Sequence, residues 1–193
     1  RVINISEVSC MNATQVIDQR SLGAAIRYAA IEKDAVIVAA AGNTSNNDCN
    51  KQNPAYNPLQ PNDPRDWSGV NTVVTPAWFS DYVLTVGAVD STGAPLSDLS
   101  VAGPWVSIAA PGTDVFSVSP RDDGLINAVE GRDNQMIAPA GTSFSAAVVS
   151  GVAALVRAKY PNLTSHQVVN RLIATARAPA RSVDNQVGHG VVD

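Results

Sequence analysis

Apolar residues follow two different periods along the chain, and segments with each period alternate. Val2 to Ile5 and residues 35–41 (Ala-Val-Ile-Val-Ala-Ala-Ala) are uninterrupted apolar runs, typical of buried strands in a parallel sheet. Between them, Ser21 to Lys33 carries one apolar stripe at helical spacing, made of Leu22, Ala25, Ile26, Ala29 and Ala30. A strand, a helix and a strand in this order form a right-handed crossover unit. The pattern therefore predicts an α/β fold with a mainly parallel sheet.

The middle of the chain adds strands around a long irregular stretch. Thr44 to Thr72 is rich in Asn and Pro and has neither period, so we predict an excursion loop without an element of its own. Tyr82 to Val89 and Trp105 to Ala110 are β-rich runs, and Asp114 to Ser119 is a candidate for a further strand.

Two helices are predicted near the end of the chain. Ser143 to Tyr160 is apolar around nearly its whole circumference, which indicates a helix in the middle of a domain. The last helix begins at Thr164, where Gln167 completes a capping box. Its expected buried stripe consists of Val168, Val169, Leu172, Ile173 and Ala176.

Charge and composition narrow the function classes. The 193 residues carry a formal net charge of −4 and a pI of about 5.0, which argues against a nucleic-acid partner because such a protein needs a basic face. No apolar run reaches the roughly 18 residues of a membrane-spanning helix. The chain starts at Arg1 with neither a Met nor a signal-peptide pattern, so we expect a fragment that begins in the middle of a domain.

Cys10 and Cys49 are the two cysteines, and the two histidines, His166 and His189, lie far along the chain. The sequence therefore predicts no zinc site, and we assign no residue as a metal ligand and no cofactor. The cysteines are either one disulfide or two buried thiols. Each follows a predicted strand, and carboxyl ends of neighbouring parallel strands meet at one edge of a sheet, so we predict the Cys10–Cys49 disulfide. A disulfide implies an oxidising compartment.

Two polar residues stand where acyl-transfer chemistry would need them. Ser143 lies at the start of the most apolar helix, where backbone N–H groups and the positive end of the helix dipole surround its hydroxyl. It is either a helix cap or a nucleophile. Asn43 follows the strand 35–41, at the edge where ligands bind in open α/β sheets. It is either a turn residue or a donor to a developing oxyanion.

The chain resembles the subtilisin-like serine proteases in an ordered series of segments that covers nearly its whole length. They are residues 2–6 (Val-Ile-Asn-Ile-Ser), 39–43 (Ala-Ala-Ala-Gly-Asn), 82–89 (Tyr-Val-Leu-Thr-Val-Gly-Ala-Val), 110–112 (Ala-Pro-Gly), 141–143 (Gly-Thr-Ser) and 188–192 (Gly-His-Gly-Val-Val). The resemblance implies a three-layer, doubly wound, subtilisin-like fold. Residues 1–193 are then expected to be the C-terminal part of a single peptidase domain, with the long loop at 44–72.

Within that family the chain is similar to the mycosins, the cell-envelope proteases of mycobacterial type VII secretion. The similarity lies in residues 4–10 (Asn-Ile-Ser-Glu-Val-Ser-Cys), in the cysteine after Asn43 and in residues 144–176. It implies an exported protein of the cell envelope, with a membrane anchor outside this chain. The implied partners are a peptide or protein substrate, the N-terminal part of the same domain and the type VII secretion membrane complex.

The resemblance also assigns roles to residues. Ser143 is the expected nucleophile, and Asn43 with the Ser143 N–H is the expected oxyanion hole. The residues expected to line the substrate are Ser6, Glu7, Val8, Ala40, Ala41, Gly42 and Thr142. The family order Asp, His, Ser puts the other triad members before Arg1. His166 and His189 are expected on the surface, so we predict that this chain alone is inactive.

Some positions leave more than one interpretation open. Ala147 stands where the family usually has Pro, and a helix tolerates that change. Glu7 stands where an apolar residue is common, and it either selects basic or polar side chains or faces solvent. By the resemblance, the Thr75–Pro76 bond is expected to be cis. The alternative to an endopeptidase is a pseudoprotease that serves as a scaffold for a secretion complex. An α/β-hydrolase is disfavoured, since no Gly-x-Ser-x-Gly occurs.

Overall fold

The computed structural model of the chain describes residues 1–15, 17–45, 47–60, 62–180 and 182–193, with the backbone alone at Asn47 and Arg132. The strands are β1 (Val2–Ile5), β2 (Ser9–Asn12), β3 (Val36–Ala40), β4 (Thr72–Thr75), β5 (Val83–Val89), β6 (Val106–Pro111), β7 (Ser117–Val118), β8 (Leu125–Ile126), β9 (Val129–Glu130) and β10 (Met136–Ile137). The α-helices are α1 (Arg20–Arg27), α2 (Thr142–Lys159) and α3 (Ser165–Thr175).

A four-stranded parallel sheet with the order β1-β3-β5-β6 forms the centre of the molecule, which confirms the predicted α/β class. Every residue of β3 is buried, because helices cover both faces of the sheet. Val36, Val38 and Ala40 pack in the cluster that contains α2 and α3, whereas Ile37 and Ala39 pack against Ile26 and Ala30 of the α1 segment. Alternate residues of β3 thus face opposite sides of the sheet. Because both sides are covered, every position is apolar and the run is continuous.

The first strand is less buried than its sequence predicts. β1 pairs with β3 on one side only among the described residues, and Ile3 is 39% exposed. The expectation of a fully buried strand is therefore wrong for this chain, since a strand at the edge of a sheet has an open side.

The helices confirm the predicted positions but not every boundary or face. The predicted helix Ser21 to Lys33 begins at Arg20, and its last part, Tyr28–Glu32, is a π-helical turn. α2 buries Ala146, Val149 and Ala153 against the sheet, but its opposite face is exposed, with Leu155 at 70%. The prediction of burial all round is wrong here because the sheet covers one face of α2 only. The capping box of α3 is present as predicted. Among the described residues, no helix combines the length and hydropathy that crossing a membrane requires.

The loop 44–72 contains more structure than its sequence predicts. Asn47–Cys49 forms a short 3₁₀ turn, and Thr72 already begins β4, which pairs antiparallel with β2. The buried Asn53 orders the loop: its Nδ2 donates to the carbonyls of Thr72 and Ala102, and its Oδ1 accepts from two backbone N–H groups. Asn46 and Pro61 of the predicted loop lie outside the described residues.

The predicted disulfide is confirmed, although β2 was not predicted. Cys10 on β2 and Cys49 on the 3₁₀ turn are bonded, with sulfur atoms 1.99 Å apart. The bond joins the loop to the segment that follows β1. Thr75–Pro76, at the end of β4, is cis as expected.

Residues 113–140 leave the sheet after β6 and return to α2; we call this segment the hairpin excursion. It holds two small antiparallel pairs, β7 with β8 and β9 with β10. The predicted strand Asp114 to Ser119 is only Ser117–Val118. The Gly141 N–H donates to the Gly112 carbonyl at 2.9 Å, so the two ends of the excursion meet.

Candidate active site

Ser143 is the second residue of α2 and lies where that helix meets the carboxyl end of β1. Its hydroxyl donates to the Ser6 carbonyl at 2.9 Å, and the Ser6 hydroxyl donates to the Ser143 carbonyl at 3.3 Å. The helix cap is Gly141, at φ 152°, so the interpretation of Ser143 as the cap is wrong. The Ser143 N–H is one of the first four amides of α2, which have no acceptor within the helix.

Asn43 follows β3 and is held in one orientation by Thr142. The Asn43 Oδ1 accepts from both the Thr142 N–H and the Thr142 hydroxyl, each at 3.0 Å. The Thr142 Oγ1 in turn accepts from the Gly42 N–H at 3.1 Å. The Asn43 amide nitrogen has no acceptor among the described residues. It lies beside Gly141, because a Cβ atom added to Gly141 would be 3.0 Å from this nitrogen. A donor with a fixed direction is therefore available next to the start of α2.

The other residues expected to line the substrate meet at the same edge of the sheet. Ser6 and Val8 are half-buried, and Glu7 is exposed. Ala40, Ala41, Gly42 and Thr142 are buried. By the resemblance, Thr142 is expected to line the substrate; in the structure, its N–H and its hydroxyl both donate to Asn43. No pattern within one segment could reveal this link, because the two residues are 99 positions apart.

Neither histidine stands near Ser143. His166 is exposed in the first turn of α3, next to Ser165, which bonds the Ala30 carbonyl and Asp34 before β3. The His189 N–H donates to the Ser107 carbonyl at the start of β6. Both therefore lie at the amino ends of the strands, opposite the carboxyl ends that hold Ser143.

The expectation of a surface position is confirmed for His166, whereas His189 is only partly exposed. His189 is half-buried beside Arg65, and burial, followed by the charge of Arg65, lowers the pKa of its imidazole, while Asp63 opposes the shift. Among the described residues, no group of three His, Cys, Asp or Glu side chains is arranged to hold a metal ion.

The fold is that of a family of proteases. The family model described as the subtilase family matches residues 1–190, and the chain belongs to that family. Over its whole length it is similar to the mycosins: it is 72% identical over 192 residues to Mycosin-5 of Mycobacterium tuberculosis and covers 33% of that protein. The chain thus spans about a third of the length of this relative.

Solved structures show the same similarity. The chain matches a subunit in the structure of the periplasmic assembly of the ESX-5 inner membrane complex, with a TM-score of 0.91 and 72% identity, over 100% of this chain and 46% of that one. It also matches MycP1, described as a serine protease and an essential component of the type VII (ESX-1) secretion system, with a TM-score of 0.90 and 51% identity, over 100% of this chain and 51% of that one.

Proposed function

We propose that the chain is the C-terminal part of a single subtilisin-like endopeptidase domain and that Ser143 is its nucleophile. The observation that carries the proposal is the anchored amide of Asn43: its oxygen is bound by Thr142, and its nitrogen is left as a donor beside the start of α2. This is the geometry that an oxyanion hole requires, since a preorganised donor stabilises charge without reorganisation during the reaction.

In the proposed mechanism, the carbonyl oxygen of the substrate lies between the Asn43 Nδ2 and the Ser143 N–H. A histidine supplied by the N-terminal part of the domain, oriented by an aspartate, accepts the Ser143 proton as the hydroxyl oxygen attacks the carbonyl carbon. The same histidine then donates this proton to the leaving amine, and water hydrolyses the acyl-enzyme. In this chain the hydroxyl donates to the Ser6 carbonyl instead, which is not a base able to activate it.

Two open surfaces support the proposed N-terminal part. The outer edge of β1 has no strand partner among the described residues, and the exposed face of α2 carries Leu155 together with Ala147, Gly151 and Ala154. An unpaired strand edge next to an apolar helix face is suited to one further strand and its covering elements. The chain also covers 33% of Mycosin-5 and 51% of the MycP1 structure, which leaves room for such a part.

The proposed setting is the cell envelope. The similar ESX-5 subunit belongs to a periplasmic assembly of an inner membrane complex, and MycP1 is named a component of type VII secretion. We infer that the protein is exported, is anchored to the membrane by a segment outside this chain, and acts on peptide or protein substrates beside a type VII secretion complex. The disulfide agrees with an oxidising compartment.

A serine-directed fluorophosphonate probe tests the proposal. We expect no labelling of this chain alone and labelling of Ser143 when the chain is joined to the N-terminal part that supplies Asp and His. The Ser143→Ala variant of the joined protein is the control and should not react. A folded, joined protein that stays unlabelled would overturn the protease proposal and favour a scaffold role instead.

A further inference from the structure

A pocket with a volume of about 330 Å³ lies at the opposite end of the sheet from Ser143. Its walls include Ser80 and Asp81, which come just before β5, and Val106 and Ser107, which begin β6. This is the amino end of the parallel strands, whereas the proposed active site lies at their carboxyl end. β5 and β6 are also the strands farthest from β1, whose open edge is proposed to take the N-terminal part. The pocket is therefore separate from the proposed active site and from that edge.

Tryptophan side chains form an aromatic wall of this pocket. The chain has three tryptophans, and Trp67, Trp78 and Trp105 pack edge to face in one cluster, with ring centroids 5.5, 6.1 and 6.4 Å apart. Trp105 and Trp67 line the pocket; the first is buried, and the second is 47% exposed. Trp67 thus presents a large, rigid and partly open ring, a surface suited to stacking on the apolar face of a ligand.

The polar side chains of the pocket offer both donors and acceptors. The Asp81 carboxylate and the Ser80 hydroxyl are exposed and have no hydrogen-bond partner among the described residues. Arg65 donates to Asp63 through Nε at 2.8 Å and Nη2 at 2.7 Å, which leaves its Nη1 without an acceptor in the described part of the chain. The half-buried ring of His189 likewise bonds none of the residues that the structure describes. A polar ligand can therefore bind here without displacing an existing hydrogen bond.

The charges of these groups decide between classes of ligand. The Arg65 cation is balanced by the Asp63 anion. Burial is the main cause that lowers the pKa of His189, so its ring is neutral at pH 7. A carboxylate ligand would then meet the unpaired charge of Asp81, and an ammonium ligand would leave the Arg65 Nη1 without an acceptor. A sugar hydroxyl both donates and accepts, so one sugar ring can serve all of these groups while its C–H face contacts Trp67.

We propose that this pocket binds a pyranose ring of a carbohydrate, stacked on Trp67 and hydrogen-bonded to Asp81, Ser80 and the Nη1 of Arg65. The volume lies at the small end of the range of ligand pockets, which suits one or two sugar units. The inference goes beyond the proposed protease function and does not depend on it, because the two sites share no residue. A sugar bound at the amino end of the strands also leaves Ser143 open to a substrate.

Titration of the joined protein with defined sugars tests the proposal. The probes are the linear trisaccharides of glucose, N-acetylglucosamine and mannose, together with sorbitol, an acyclic polyol that has the hydroxyls but no ring. Binding is followed by NMR through the indole N–H signals of Trp67 and Trp105. We expect at least one trisaccharide to shift these signals with a dissociation constant on the order of 1 mM, as for a small ligand of ordinary efficiency. Sorbitol should leave the signals in place.

Two variants test the stacking and the hydrogen bonding separately. Trp67→Ala should weaken binding about tenfold, because the stacking surface is lost. Its matched control is Phe116→Ala, since Phe116 is an aromatic residue with 65% exposure outside the pocket walls. Asp81→Asn should weaken binding about fivefold by removing a charged acceptor, and its control is Asp98→Asn, at an exposed aspartate outside the walls. Both controls should bind within about twofold of the wild type.

Several results would overturn the sugar site. One is the absence of any shift with all three trisaccharides up to about 50 mM, far above the expected dissociation constant. Another is equal binding of sorbitol, since the ring would then not be recognised. Binding of acetate or tetramethylammonium without binding of a sugar would make the pocket an anion or a cation site instead. Equal losses in the pocket variants and in their controls would place the sugar elsewhere. Fluorophosphonate labelling of Ser143 is a separate measurement, so its failure overturns the protease proposal alone.

Discussion

Thr142 connects three parts of the site through two polar groups. Its N–H and its hydroxyl both donate to the Asn43 Oδ1, and the same hydroxyl accepts from the Gly42 N–H. Thr142 is buried, so water does not replace these partners. Because an amide has one oxygen and one nitrogen, fixing the oxygen also fixes the direction of the nitrogen. Thr142 is thus a positioning residue for the proposed oxyanion hole.

Thr142→Val keeps the shape of the side chain and removes its hydroxyl. We expect kcat in the joined protein to fall about fivefold with little change in KM, because a net hydrogen bond of about 1 kcal/mol that orients the Asn43 amide is lost. Thr142→Ser retains the hydroxyl and should keep most of the activity. An unchanged kcat in the valine variant would show that the Thr142 N–H alone orients Asn43.

The positions of Ser143 and Asn43 could be predicted from the sequence, but their partners could not. Both residues follow directly from local patterns, a helix start and a strand end. The Ser143–Ser6 hydrogen bond spans 137 positions, and the Thr142–Asn43 pair spans 99. Such contacts depend on how elements pack, which the period of a single segment does not record. The half-buried state of His189 was missed for the same reason, since Arg65 and Asp63 come from a distant loop.

At the scale of elements, Asp34 joins the turn before β3 to both later helices. Its carboxylate accepts from the Arg157 guanidinium of α2 and from the Ser165 N–H of α3, each at 2.5 Å. Its backbone lies at φ 49°, a conformation that Asn also tolerates. The hydrogen bond from Ser165 is the main cause that lowers the pKa of this carboxyl, burial opposes it, and the Arg157 charge adds to the lowering.

Asp34→Asn should therefore destabilise the joined protein in a pH-dependent way. The pKa of the Asp34 carboxyl is lower in the folded than in the unfolded protein. The contribution of Asp34 to the unfolding free energy is therefore fully present above the ordinary aspartate pKa, and it is lost as the pH falls through the folded-state pKa. The Asp34 side chain is 48% exposed, so we expect the variant to have an unfolding free energy about 1 kcal/mol lower than that of the wild type at pH 6. Urea unfolding from pH 6 down to pH 2 measures it.

Asp18→Asn is the control for this prediction. Asp18 pairs with Arg20 on the surface and bonds no other element among the described residues. The bonds from Arg20 also lower the pKa of Asp18, but the pair is exposed and screened by water, so we expect a much smaller loss of stability than at Asp34. A loss of stability at Asp34 that does not shrink in acid would contradict the electrostatic explanation.

The Cys10–Cys49 disulfide supports the segment between β2 and the 3₁₀ turn. Its cysteines are 39 positions apart, a separation for which loop entropy gives about 4 kcal/mol of stabilisation. We expect the double variant Cys10→Ala/Cys49→Ala to lose a stability of this order, as measured by urea unfolding. Treatment with a reductant should have the same effect on the wild type and none on the double variant. Equal stability of the wild type and the double variant would show that contacts such as those of Asn53 hold the loop by themselves.

Elements were predictable where every residue has the same kind of surroundings. β3 and β5 are covered on both faces, so their apolar runs are unambiguous. β2 and β4 were missed because each has only four residues and mixes polar and apolar positions without a clear period. The two-residue strands of the hairpin excursion are too short to show any period. The burial of α2 was overestimated, because apolar side chains show that a helix can be buried on a given face. They do not show whether another element covers that face.

For the whole molecule, Leu155 tests whether a further part of the domain covers α2. We expect Leu155→Ser to lower the unfolding free energy of the joined protein by about 2 kcal/mol, the order of a buried leucine made polar. Leu59→Ser is the matched control, because Leu59 is 87% exposed in the loop 44–72. Equal stability of the two variants would show that the outer face of α2 remains in water and would contradict the proposed N-terminal cover.

The hydrogen bond between Gly112 and Gly141 has a consequence for how this protein can change over evolution. It closes the base of the hairpin excursion, so the frame that carries Ser143 does not depend on the length of the 28 residues between the two glycines. Loops with fixed ends accept insertions at small entropic cost. The excursion can therefore vary in length and sequence without moving the start of α2, so changes there are separated from changes at Ser143.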